Sequence, residues 1–320
     1  MINIKDITLK IIPIFFEPLK KINSLFYHLK SRQGFALVLT LVILTILTAM
    51  VIEFSYGVYT TTSNLNNWKE SQKLSLISKS GISLAIKTIS DIPSSELYKF
   101  QGRITIPVAN IVNDFQGSVT VIVEDENGRF NLNSIINQNQ TLNIHAYNSF
   151  KRLLKNLDLR EGIADYLADW IDRDNEPKTR DSEENSKNGF MDNVDELLLI
   201  KTIDTETFSR LQPYVTVYAY DKSNPQLINI NTATIPVIMS LTDGITKTVA
   251  EKIVQARPFE SISDVEKVAT GLGLGPAKIT VRAVNYRIIS IAEENKLKRI
   301  IECISEIRGS SYIIKYWKEN

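Results

Sequence analysis

Hydrophobic and polar positions change their spacing several times along the chain. From Phe35 to Ile52 it reads FALVLTLVILTILTAMVI, 18 residues without a charge, a proline or a glycine. Beyond it, Leu74, Ile77, Ile82, Ala85, Ile86 and Ile89 recur at intervals of three and four, the mark of an amphipathic helix. Asp91-Ile92-Pro93 ends that pattern, which predicts one long helix over about residues 35–90. Ile104–Val108 and Val119–Val123 read as strands, and Asp125-Glu126-Asn127-Gly128 as a turn in which the glycine supplies a positive φ. Arg129-Phe130-Asn131-Leu132 resumes an alternating pattern.

From about 134 to 284 the periodicity is mostly helical. The predicted helices cover Ile144–Leu157, Arg160–Ile171, Val194–Lys201, Thr205–Leu211, Thr232–Leu241, Thr246–Ala256, Ile262–Ala269 and Gly275–Val284. Strand patterning returns in Tyr286–Ala292, Lys298–Ile307 and Tyr312–Trp317. Early and late strands joining in one antiparallel sheet on the long helix give an α+β fold with a large all-α insertion.

Composition is that of a folded protein, and a formal net charge of +1 supplies no global attraction to nucleic acid. The charge is unevenly placed: residues 1–34 hold six Lys and Arg against Asp6 and Glu17, a net of +4. All of that basic excess precedes the apolar run. At 1.5 Å per residue the run spans about 27 Å, close to the hydrocarbon thickness of a bilayer. The positive-inside rule then keeps the N-terminus cytoplasmic and places everything after Glu53 on the far side. A secretory signal peptide has a shorter apolar core and a small-residue cleavage site, and no convincing Ala-x-Ala follows here. Cys303 is the single cysteine; in the run Ile300, Ile301, Cys303, Ile304 it reads as a small buried hydrophobe. His28 and His145 are the only histidines, and no nucleophile pairs with them, so the chain reads as no enzyme.

Several phrases, taken in order, resemble one family. Ser31-Arg32-Gln33-Gly34-Phe35 is similar to a prepilin peptidase junction. Asp125-Glu126-Asn127-Gly128-Arg129-Phe130-Asn131-Leu132-Asn133 resembles the opening of a helical region, and Asp169-Trp170-Ile171-Asp172-Arg173-Asp174-Asn175-Glu176-Pro177 its acidic segment. Leu211-Gln212-Pro213-Tyr214-Val215-Thr216-Val217, followed by Ile228-Asn229-Ile230-Asn231-Thr232-Ala233, resembles the link into a second helical part. Over about residues 31–290 the chain resembles the minor pseudopilin K family of type II secretion systems.

The resemblance implies a pilin-like fold divided into a leader (1–34), a transmembrane and stem helix (35–90), the first part of a sheet (91–133), two helical insert subdomains (134–225 and 226–284) and C-terminal strands (285–320). The second subdomain would be SAM-like or helix-hairpin-helix-like. Cleavage is implied after Gly34, leaving Phe35 as the N-methylated first residue. Most pseudopilins carry Glu at the fifth mature position, where it meets the N-terminal ammonium of an adjacent subunit; here that position is Leu39. An unpaired charge at that depth costs about 2.5–3.5 kcal/mol on insertion scales. A tip subunit has no ammonium above it to neutralise, so it tolerates the loss. Implied partners are minor pseudopilins I and J, other pseudopilin stems, prepilin peptidase and the inner membrane, with exported proteins or the outer-membrane channel beyond them.

Asp172, Asp174, Glu176 and Glu183 imitate positions 1, 3, 5 and 12 of a calcium loop, with Asp181 and Glu184 as further carboxylates nearby. The family's association with calcium adds to this reading. Pro177 replaces the glycine usual at position 6, and Lys178, Arg180 and Lys187 can neutralise charge without a metal, so a solvated acidic loop remains the alternative.

A rival function comes from another class. Residues 229–265, centred on Asp243-Gly244-Ile245-Thr246, resemble the helix-hairpin-helix module of membrane-anchored competence receptors that bind DNA. That hairpin normally presents Gly-Ile-Gly, and Thr246 stands at the second glycine. Lys247, Lys252 and Arg257 are offset by Asp243, Glu251, Glu260 and Asp264, which weakens the electrostatic term and points away from nucleic acid. Gly271-Leu272-Gly273-Leu274-Gly275 follows a helix rather than a strand and reads as a turn before a helix near Pro276, not as a nucleotide loop.

Overall fold

A computed structural model describes residues 32–100, 103–108, 115–174, 176–275, 278–295 and 297–320. Most of the expected leader, residues 1–34, therefore lies outside the described residues. The chain divides into two compact units, Met1–Lys69 and Glu70–Asn320. Helix α1 runs over Arg32–Ser90 and contributes to both.

In the second unit the periodic half of α1 packs on a sheet. Strands β1 (Arg103–Val108), β2 (Ser118–Asp125), β7 (Asn285–Glu294), β8 (Leu297–Arg308) and β9 (Ser311–Glu319) are antiparallel and lie in the order β1-β2-β7-β8-β9. β2 alternates buried and half-exposed residues, so Val119, Val121 and Val123 point to one face. There they meet Leu74, Ile77, Ile82, Ala85, Ile86 and Ile89 of α1, with Ile288, Ile301 and Cys303 from the later strands. Cys303 is buried, and its thiol is pushed up to about 12 by loss of solvation, as an inert core residue should be. β2 and β7 pair from Val119↔Ala292 to Asp125↔Tyr286, although residues 126–284 lie between them in sequence. The sheet is thus closed around an insertion.

The insertion contains two helical groups, each tied by a two-residue parallel ladder. The first holds β3 (Phe130–Asn131), α2 (Ile144–Asn156), α3 (Ile163–Ile171), a 3-10 turn at Val194–Leu199 and α4 (Thr205–Leu211), and ends in β4 (Val215–Thr216), which pairs with β3. The second runs from β5 (Ile228–Asn229) through α5 (Ile235–Ser240), α6 (Lys247–Gln255) and α7 (Ile262–Val268) to β6 (Ile279–Thr280), which pairs with β5. Helix starts follow capping chemistry: Asn143 accepts from Ala146 N at 3.3 Å and Asp204 from Thr207 N at 2.8 Å.

Two expectations need correction. Gly275–Val284 is not a helix. Ile279-Thr280-Val281 is a β-branched run, and backbone groups on β5 were available to it: Ile228 N donates to Lys278 O at 3.1 Å and Ile230 N to Thr280 O at 2.9 Å. Pro276, the expected helix start, lies outside the described residues. Gly128 does not adopt a positive φ. A Cβ there would approach Thr232 Oγ1 to 2.5 Å and the Thr232 carbonyl carbon to 3.0 Å, so the glycine admits a close backbone crossing.

Candidate functional site

Three parts of the molecule carry the residues singled out above. The first is the apolar half of α1, the one helix among the described residues long and apolar enough to cross a membrane. Gly34 lies in its first turn, and Phe35 and Leu39 are each 48% exposed. Thr40, Thr45 and Thr48 donate back to the carbonyls of Leu37, Val42 and Leu44, each at 2.8 Å, so their hydroxyls are satisfied within the helix.

The second is the acidic loop after α3. Its nearest carboxylates are Asp169, in the last turn of α3, and Asp172, just past its end; both are buried. The chain then doubles back. Lys178 Nζ donates to Asp169 Oδ1 at 2.8 Å and to Asp172 Oδ2 at 2.6 Å, while Lys178 N donates to Asp169 Oδ2 at 2.8 Å. The Ser182 hydroxyl also donates to Asp169. Glu183 completes a trio in which one carboxylate oxygen from each of Asp169, Asp172 and Glu183 lies within 4.8 Å of the others.

The structure therefore brings the first and twelfth predicted positions together, Asp172 with Glu183. Asp174 and Glu176 stay exposed outside the trio, with Asp174 Oδ1 accepting from Glu176 N at 2.9 Å. Asp181 and Glu184 turn to Lys201, at 3.8 and 2.9 Å. Asp169 is the third member of the trio. Its signal in the sequence is the three-residue spacing to Asp172, which puts both on one side of the helix end.

Asp172 Oδ1, Glu183 Oε1 and Glu183 Oε2 are buried with no hydrogen-bond partner. Burial raises the Asp172 carboxyl above its ordinary range despite Lys178, and raises Glu183 with help from Asp169, Asp172 and Asp174. Burial opposes the charge on Lys178, but its bonds to Asp169 and Asp172 outweigh this and raise it. Three carboxylates facing one ammonium leave two uncompensated negative charges beside orphaned oxygens. That donor set suits a hard, oxygen-seeking divalent cation.

The third part is a buried polar hub, where two of the family-like phrases meet. Asp125 Oδ2 accepts from Asn229 Nδ2 at 2.7 Å and from Thr232 Oγ1 at 2.5 Å. Asn127 Oδ1 accepts from Val284 N and Asn285 N, at 3.0 and 2.8 Å. Asn231 Nδ2 donates to Phe259 O and Val281 O, both at 2.9 Å. Glu126 is fully buried and paired with Arg287 at 3.0 Å and Arg129 at 3.3 Å. Burial pushes Asp125 up to about 6. These groups lock the second helical group to the end of β2. Nothing in hydrophobic periodicity marks them, because most of their partners are distant in sequence: Asn229 lies 104 residues from Asp125, and Asn285 158 from Asn127.

In the hairpin of the DNA-binding rival, Thr246 caps α6, accepting from Val249 N at 3.4 Å. Lys247 and Lys252 are exposed, whereas Arg257 is half-buried, donates to Ala233 O at 2.5 Å and is lowered to about 10 by burial. Asp243 pairs with Arg152 at 2.9 Å.

Comparison with known proteins adds the following. Two family models, both described as type II secretion system (T2SS), protein K, match residues 128–220 and 228–285. The type II secretion system protein K of Pseudomonas aeruginosa is 31% identical over 209 residues, covering 60% of this chain and 60% of that protein. The protein of the same description from Pectobacterium carotovorum subsp. carotovorum is 31% identical over 192 residues, 52% of this chain and 58% of the relative. That of Dickeya chrysanthemi is 37% identical over 108 residues, 31% of this chain and 30% of the relative. The matches thus span at most 60% of the curated relatives' length. Among solved structures, a chain of the GspK-GspI-GspJ complex from the type 2 secretion system of enterotoxigenic Escherichia coli superposes with a TM-score of 0.61. It is 19% identical, and the match covers 80% of this chain and 99% of that one, a likeness of fold.

Proposed function

Because two models of the type II secretion system protein K family match this chain over residues 128–220 and 228–285, we propose that it is a member of that family and a non-catalytic minor pseudopilin at the tip of the pseudopilus. There it initiates or caps the fibre and supports export of folded proteins from the periplasm. The observation that carries the proposal is the closure of one sheet around residues 126–284 on a helix that begins with the uncharged run Phe35–Ile52. In this reading the apolar helix packs beside other pseudopilin stems, and the large insertion hinders stacking of a further subunit.

The remaining parts of the reading rest on that one. Prepilin peptidase cuts after Gly34, and Phe35 becomes the first residue. Leu39 then leaves nothing at the fifth position to neutralise a subunit above, which suits the last place in a fibre. The chain crosses the inner membrane once, with its basic end cytoplasmic and the rest periplasmic. Minor pseudopilins I and J are its partners, a reading supported by the GspK-GspI-GspJ complex to which its structural neighbour belongs. The second helical group is a SAM-like module used for protein docking. The acidic loop holds calcium through Asp172 and Glu183, with Asp169 beside them; the orphaned Asp172 and Glu183 oxygens support this. Bound there, calcium would supply the positive charge that Lys178 alone does not, and brace the loop.

The test is co-purification of the full-length chain from membranes with the minor pseudopilins I and J. Retention of both is expected; capture of duplex DNA at physiological salt in their place would favour the competence-type alternative. Processing provides a second check. Gly34→Ala, and still more a bulkier replacement, should leave the leader attached in intact-mass spectra. A normally shortened chain in cells without prepilin peptidase would sink the pseudopilin reading.

A further inference from the structure

We propose that Lys178 is a built-in counter-cation of the acidic loop: its ammonium keeps the loop folded without metal and weakens divalent-cation binding there. The proposal rests on the calcium reading of this loop and says what Lys178 does to it.

Some of the carboxylate oxygens in the cluster are already taken. Asp169 is fully engaged, by Lys178 Nζ on Oδ1 and by Lys178 N and the Ser182 hydroxyl on Oδ2. Asp172 is engaged through Oδ2 alone, by the same ammonium at 2.6 Å. Its Oδ1 is unpartnered although the residue is only 3% exposed, and both oxygens of Glu183 are unpartnered and buried. A buried charged oxygen without a donor is costly, so this half of the cluster is incomplete as it stands.

Lys178 meets part of that demand. A lysine ammonium is a compact charge on a flexible stem, able to reach two carboxylates at once. It ties the loop back onto α3 and holds together the Asp169 and Asp172 side chains that would otherwise repel each other. It carries one charge against three, and so does not satisfy Glu183. A divalent ion taken up by Asp172 Oδ1 and Glu183 would bring the cluster to neutrality. That ion would share Asp172 with the ammonium, and two cations on one carboxylate oppose each other. Lys178 therefore stabilises the metal-free loop at the expense of metal affinity.

The experiment uses the full-length chain in detergent micelles, stripped with chelator. Calcium chloride is titrated calorimetrically, and thermal unfolding is followed by circular dichroism with chelator and with calcium. The wild type should bind calcium and melt only slightly lower in chelator. K178M, which keeps the stem and removes the charge, should bind calcium about tenfold more tightly or better. Its melting temperature should fall in chelator well below that of the wild type and recover with calcium. K178Q serves in the same way if K178M does not fold without the ion, and K178R should behave as the wild type. Equal or weaker calcium binding by the uncharged variants, or K178R behaving like K178M, would overturn the role of Lys178 while leaving the calcium site standing. Absence of calcium binding in the wild type and in every variant would remove both.

Discussion

Phe35–Ile52 and Leu74–Ile89 are both helical and both rich in leucine and isoleucine, yet their side chains end in opposite environments. Leu37, Leu44 and Ile52 are over 60% exposed, whereas Leu74, Ile82 and Ala85 are about 1% exposed. What separates them is the Ser, Lys and Thr of the later stretch and the spacing that collects them on one side. The later stretch keeps Ser80, Ser83, Lys87 and Thr88 on its outer side, so one face can meet water while the other meets the sheet. The earlier stretch is apolar all round and has no side to offer water. It is long and apolar enough to cross a membrane and fits a single-pass anchor.

The strongest way to break this contrast is to place a charge in each half. Ile82→Asp should cost about 4 kcal/mol or more, because the carboxylate would be buried against the sheet without a partner. Leu44→Asp should leave the urea unfolding of the sheet unchanged within about 0.5 kcal/mol and weaken membrane insertion by about 3 kcal/mol. Equal unfolding midpoints for the two variants would erase the distinction.

Glycine offers a subtler version. A Cβ on Gly81 would strike the Ser290 hydroxyl and come within 3.0 Å of Val121 Cγ2, while one on Gly57 meets nothing within 4 Å. Gly81→Ala should destabilise by about 1–3 kcal/mol through overpacking. Gly57→Ala should raise helix stability by up to about 1 kcal/mol. Thermal melts of the pair should shift in opposite directions.

The smallest effect concerns the clasp at the top of the buried half, where Lys73 meets Glu294 at 2.9 Å. A hydrogen bond from Gln116 N, and then Lys73, holds the Glu294 carboxyl below its ordinary value of 4.5. The stability it contributes is fully present above that value and is lost as pH falls through the lowered one. Glu294→Gln should therefore cost under about 1 kcal/mol at neutral pH. In acid the variant and wild-type curves should converge. A gap that persists there would assign the loss to packing instead.

Much of this contrast was legible in the residues themselves. The apolar run, the periodic stem and the strands near 104–108, 119–123 and 286–317 follow from periods that a single segment carries alone. The helix expected over Gly275–Val284 failed because Ile279 and Thr280 found β5, a partner set by the return of a distant segment. In the acidic loop, Asp172 and Glu183 were readable from spacing. The structure sets Asp169 beside them, while Asp174 and Glu176 stay exposed outside the trio.

By itself the sequence determined where apolar surface is continuous, where it is periodic and where carboxylates are crowded, because these are properties of neighbours in the chain. Only the tertiary structure decided that β2 pairs with β7 across residues 126–284, and that Asp125, Asn127, Asn229 and Asn231 share one buried network. It also decided which acidic groups converge. The physical reason is the same each time: hydrogen bonds and charges act over a few ångströms of space, and folding alone brings residues that far apart in sequence within that reach.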